Sequence, residues 1–213
     1  MSLALLESKL SKWPLCFTAG FASIVLYCTF TSISIVFFPG PVSPTNNFLS
    51  QLGNSRLNPS GAIFYNLAVI LAGLVAILFY VGLYQWYTKK KGNKLLTAAL
   101  AVGFVNAFSI IMSGVFSESV NYSQHVFWSS LIFISFIPVL ILVNIALLTY
   151  PDHNKLISYY GFIVAVIDFS LLVILLTIGF GPGIGPLMEW IAVFSYLAWV
   201  GLLAYNTRGS WYS

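Results

Sequence analysis

Long apolar runs alternate with short polar gaps along the whole chain. Six runs are long enough to cross a bilayer, a span that takes about 20 residues of helix. They occupy about 15–38, 61–87, 95–116, 125–150, 156–180 and 186–207. This pattern predicts an all-α, polytopic integral membrane protein, a six-transmembrane-helix bundle forming one domain over residues 1–213. Ahead of the first run, Leu3, Leu6, Leu10 and Trp13 recur at helical spacing, with Glu7, Lys9 and Lys12 between them. Residues 1–14 therefore read either as a short interfacial helix ending at Pro14 or as a frayed tail. The run that follows, about 24 residues long, exceeds the core of a signal peptide.

Composition reinforces the membrane reading. The chain is 59% hydrophobic and 7% charged, with mean hydropathy +0.93. A soluble domain carries about 25% charged residues, so this chain cannot cover a water-facing surface. Its net charge of +4 therefore speaks to topology, and a nucleic-acid partner is not expected. Lys9, Lys12, Lys89, Lys90, Lys91, Lys94, Lys155 and Arg208 all fall on one side of the predicted bundle, and Arg56 alone falls on the other. The positive-inside rule then places both termini in the cytoplasm, in a multi-pass protein of the cell membrane. Tyr84, Trp86, Tyr87, Trp190 and Trp211 lie near run ends, as an interfacial aromatic belt would. Cys16 and Cys28 share the first run, about 18 Å apart along a helix, so they cannot bridge. Ala99, Gly103 and Ala107 line up on the third run as a close-packing stripe.

The longest polar gap, Ser43–Gly61, holds four asparagines, a glutamine and an arginine. Gly53 is expected to turn the chain with positive φ, and Ser60 to cap the second helix after Asn58–Pro59. On the same side lie Glu118, His125 and Glu189. Together they predict an extracytoplasmic polar cluster of Asn47, Ser50, Gln51, Arg56, Glu118, His125 and Glu189. Arg56 suits a phosphate, and a carboxylate beside a histidine suits acid–base work or a binding role. Asp168 lies near the bilayer centre, where a carboxylate is costly unless paired or protonated. Asn106, at similar depth, is its expected hydrogen-bond partner, with Ser170 nearby in sequence.

Other features point less far. "GFGPGIGP" lacks a preceding soluble strand and a P-loop lysine, so it reads as a tight outer turn. "NYS" at Asn121 is a glycosylation sequon on a very short connection. A zinc hydrolase needs three converging ligands, and the second histidine, His153, falls on the opposite side of the bilayer. No metal or cofactor is predicted.

"SQLGNSRLNPSGAIFYNLAVILAGL" and "SGVFSESVNYSQH" resemble segments of a prokaryotic six-helix membrane family known as domain of unknown function 998. The resemblance runs from about Val36 to Leu148 and marks Ser50, Gly53, Gly114, Phe116 and His125. The layout is also distantly similar to the eukaryotic family of autophagy modulators and a glycolipid-anchor remodelling factor. That similarity implies six helices and a lipid-linked role. The family's usual Phe-Pro is Phe116–Ser117 here.

Four readings follow from these residues. The chain binds or remodels lipid at the outer cluster, with membrane lipids as partners. Or it is a small proton-coupled transporter using Asp168. Or it is an accessory subunit of a larger complex, or a homo-oligomer. Or Glu118 and His125 serve an intramembrane enzyme, with Ser50 as nucleophile if His125 reaches it.

Overall fold

The computed structural model describes residues 13–88, 92–179 and 181–209. The described residues form six long helices: α1 (Leu15–Val36), α2 (Ala62–Thr88), α3 (Lys94–Val115), α4 (Tyr122–Leu148), α5 (Lys155–Thr177) and α6 (Ile184–Gly209). All six are long and apolar enough to cross a membrane. Apart from Trp13 and Pro14, the segment read as an interfacial helix lies outside the described residues, as do residues 89–91 and 211.

Local chemistry sets the helix starts. Pro14 precedes α1 in an extended conformation, where its missing N–H costs nothing. Asparagine caps open three of the others. Asn93 accepts from Leu95 N and Leu96 N, Asn121 from Gln124 N, and Asn154 from Leu156 N. Asn121, the sequon residue, thus spends its side-chain oxygen on a cap. The second helix departs from expectation. Its entry is fastened by Asn58, whose Oδ1 accepts from Gly61 N at 3.0 Å, while Ser60 is exposed.

Each helix packs on its sequence neighbours, and α6 returns to α1. The bundle is therefore a closed ring. Lipid supplies no hydrogen bonds, so polar groups inside must find one another. Tyr80 OH donates to Asn106 Oδ1 (3.0 Å), and Trp199 Nε1 donates to Asn144 Oδ1 (3.2 Å). The small-residue stripe on α3 serves close packing: a Cβ on Gly103 would press on the Tyr80 ring, 2.9 Å away. Large apolar side chains such as Leu176, Leu156 and Val166 point outward, as a lipid-facing surface requires.

Of the predicted aromatic belt, Tyr87 is instead buried, in a network at the end of the ring opposite the Ser43–Gly61 loop. Its hydroxyl meets His153 Nδ1 (3.1 Å) and accepts from Asn206 Nδ2 (3.0 Å). Nε2 of His153 pairs with Ser158 Oγ at 2.9 Å.

Candidate functional site

The Ser43–Gly61 loop folds over one end of the ring, here termed the loop face. A 3-10 helix, Leu49–Gly53, lies at its centre, with Leu49 and Leu52 fully buried as anchors. Asn58 clamps it. Its Nδ2 donates to Ser34 O, Ser34 Oγ and Leu52 O at 3.0–3.2 Å, and the residue is 0% exposed. Gly53 does not have positive φ. It is glycine because a Cβ there would collide with Asn66 and Tyr65 of α2. Asn66 Nδ2 donates to Gly53 O (3.0 Å). On the other side of Asn66, a Cβ on Gly114 would meet its carbonyl oxygen at 2.9 Å. The two glycines marked by the family resemblance are thus close-approach positions on either side of one asparagine. In the turn between α5 and α6, Gly183 has φ +115° and its N–H donates to Thr45 O, docking that turn on the loop.

On this scaffold the acidic residues converge. Ser50 Oγ donates to Glu118 Oε1 (3.3 Å), and Asn54 Nδ2 donates to Glu118 Oε2 (3.1 Å). Glu189 Oε2 accepts from Leu49 N. The Ser50 amide and hydroxyl also face Glu189. Ser50 therefore stands between two carboxylates. His125 is held from behind: Nδ1 meets Phe116 O at 3.0 Å and Ser113 O at 3.3 Å. Carbonyl oxygens only accept, so Nδ1 carries a proton. Nε2 faces Ser129 Oγ at 3.3 Å.

Two chambers open off this cluster. The loop-face chamber, about 160 Å³, is lined by Ser50, Gln51, Glu118, His125 and Glu189 on its polar side. Val126 of α4 and Leu172 and Leu175 of α5 form its apolar side. A central chamber of about 100 Å³ lies inside the ring and takes wall residues from all six helices, among them Tyr27, Tyr65, Asn106, Asp168 and Tyr196. The two share Ser50, Ser129, Phe133 and Glu189 as a common wall. Below the loop-face chamber, the α4–α5 seam continues as an apolar groove between Ile137, Ile141, Phe162, Val166 and Phe169. No lysine or arginine lines either chamber among the described residues.

Five of the seven residues predicted for the outer cluster thus line one chamber, and two do not. Asn47 fastens the loop: its Oδ1 accepts from Ser43 N (3.1 Å) and its carbonyl from Trp190 Nε1 (2.9 Å). Arg56 is exposed on the outer rim of the loop and lines neither chamber. Ser50 and His125 line the same chamber, but each hydroxyl or ring nitrogen is engaged elsewhere, Ser50 with Glu118 and His125 with Ser129. A serine–histidine nucleophile pair is not assembled.

The expected Asn106–Asp168 bond does not form. Asn106 Nδ2 donates to Ile132 O (2.9 Å) and Ser135 Oγ (3.2 Å) of α4, its ring neighbour, and its Oδ1 is taken by Tyr80. Ser170 Oγ turns back to Val166 O. Asp168 is 1% exposed, and its Oδ2 has no hydrogen-bond partner among the described residues.

Ser129 and the tyrosines escaped the sequence reading. Ser129 had a usable signal, since it stands four residues after His125 and so shares its helix face. Tyr27 and Tyr65 did not: their hydroxyls approach to 3.5 Å across 38 residues of sequence.

Compared with known families, residues 21–206 match a family described as protein of unknown function (DUF998), and the chain belongs to that family. No curated protein matches the chain, and no solved structure does.

Proposed function

We propose that this member of the DUF998 family binds a membrane amphiphile, with the head in the loop-face chamber and the apolar chain along the α4–α5 seam. One observation carries the reading: a chamber with a polar back wall and an apolar side gives onto the same seam that continues as an apolar groove. A molecule lying in the bilayer has this division of polarity. The lysine and arginine bias supports a loop face outside the cytoplasm. The lipid-linked role implied by the eukaryotic resemblance points the same way.

The chemistry of the wall selects the head. Glu118 and Glu189 put carboxyl oxygens on the wall beside His125. With no lysine or arginine in the wall, an anionic phosphate is poorly served, and the phosphate role expected of Arg56 is withdrawn. Hydroxyl or amine groups, as hydrogen-bond donors, fit.

The test is lipid analysis of the protein purified in mild detergent. The wild type is expected to retain one lipid class above the background of the extract. Glu118→Gln with Glu189→Gln removes both carboxyl groups, and Leu175→Trp fills the apolar side. Each is expected to lower retention several-fold. Retention of the same lipids at the same level in all variants overturns the reading.

A further inference from the structure

We propose that the central chamber binds a primary ammonium group on Asp168. This rests on a different observation from the amphiphile reading and does not require it. Asp168 sits near the middle of α5, is 1% exposed, and lines the chamber. The amides inside the ring are matched: Asn106 by Tyr80, α4 and Ser135, and Asn144 by Trp199. Among the described residues two buried side-chain atoms, Thr31 Oγ1 and Asp168 Oδ2, have no partner, and of these only the carboxyl can carry charge. An ionised carboxylate left so in low dielectric is costly. A proton removes the charge but makes the carboxyl a donor, and no protein acceptor is in place for it. A group bearing both positive charge and N–H donors answers both needs.

The walls choose among cations. A hard metal ion wants six or more oxygen ligands, whereas most of this wall is apolar or aromatic. The rings of Tyr27, Tyr65, Phe133, Phe136 and Tyr196 border the chamber. Aromatic faces attract ammonium ions, most strongly where water is excluded. Ser23, Tyr27 and Tyr196 add hydroxyl oxygens for the remaining N–H groups. The space of about 100 Å³ admits a group of a few heavy atoms. The wall shared with the loop-face chamber holds Glu189 and Ser50, and Glu118 lines that chamber too. The ammonium can belong to a free small amine or to the head of an aminolipid.

Thermal unfolding in detergent tests this with three chloride salts at equal ionic strength: methylammonium, tetramethylammonium and sodium. Ligand that binds only the folded state raises the midpoint with concentration. Methylammonium is expected to raise it, sodium and tetramethylammonium are not, and Asp168→Asn is expected to abolish the difference. Should Asp168→Asn fail to fold, labelling of wild-type Asp168 by dicyclohexylcarbodiimide, read by peptide mass spectrometry, replaces it. Protection by methylammonium assigns a free amine. Protection only in nanodiscs of phosphatidylethanolamine, and not of phosphatidylcholine, assigns a lipid amine. Equal response to all three salts, together with labelling that neither amine source slows, overturns the proposal.

Discussion

At the scale of single residues, Asn58 is the most consequential side chain of the loop. One amide closes α2 through Gly61 N and ties Ser34 of α1 to Leu52 of the 3-10 helix. Asn58→Ala takes the Asn58 donor from the Ser34 carbonyl and the acceptor from Gly61 N, each costing about 1–3 kcal/mol, whereas exposed Ser60→Ala is expected to be close to neutral. Asn58→Asp keeps the acceptor for Gly61 but loses every donation. Unfolding titrations should therefore show Asp failing to rescue, and wild-type stability in Asn58→Asp would show that only the cap matters. Local pattern pointed to Ser60 as the cap, but the bond to Gly61 N is made by Asn58. What decides between them is Ser34, 24 residues away on another helix. Gly53 teaches the same lesson. Glycine at a turn suggests positive φ, but here the requirement is steric and comes from Asn66.

At the scale of elements, the six spans were legible because lipid demands long uninterrupted apolar runs, and their ends fall within a few residues of expectation. The connections were not legible, since their partners are distant. "PDHNK" reads as a polar link between α4 and α5. Instead its His153 is buried and bonded to Tyr87, 66 residues away, and it contacts Asn206 Nδ2 at 3.3 Å. Asn206 Nδ2 is a donor, so Nδ1 accepts and the neutral ring is the form that fits. Burial pushes the His153 pKa down from 6.5 to about 4. Between these values the unfolded chain binds a proton that the folded protein refuses, so stability falls as pH falls. This contribution is complete above about pH 6.5, is lost progressively toward about pH 4, and changes no further below that. Thermal midpoints measured from neutral pH to about pH 4 should decline more steeply for the wild type than for His153→Gln. Parallel curves for the two proteins would remove His153 from the account, because the carboxylates titrate alike in both.

At the scale of the whole molecule, the ring converts a shared depth into a shared chamber for some residues only. Depth is readable from run ends, and it grouped Ser50, Gln51, Glu118, His125 and Glu189, which line one chamber. Azimuth around the ring is not readable, which is why Arg56 joined the predicted cluster yet stays on the rim, and why Asn106 faces α4 rather than Asp168. Closure of the ring has a consequence for access. The chamber holding Asp168 borders the loop-face chamber along Ser50, Ser129, Phe133 and Glu189. Enlarging that wall without touching its polar groups should narrow the passage to the central chamber. Phe133→Trp does this, since His125 and the glutamates bond to other residues. A water-soluble carbodiimide applied from the loop face is then expected to label Asp168 several-fold more slowly in Phe133→Trp. An unchanged labelling rate would mean that reagent reaches Asp168 by another path, and the two chambers would have to be treated as separate sites rather than as stages of one approach.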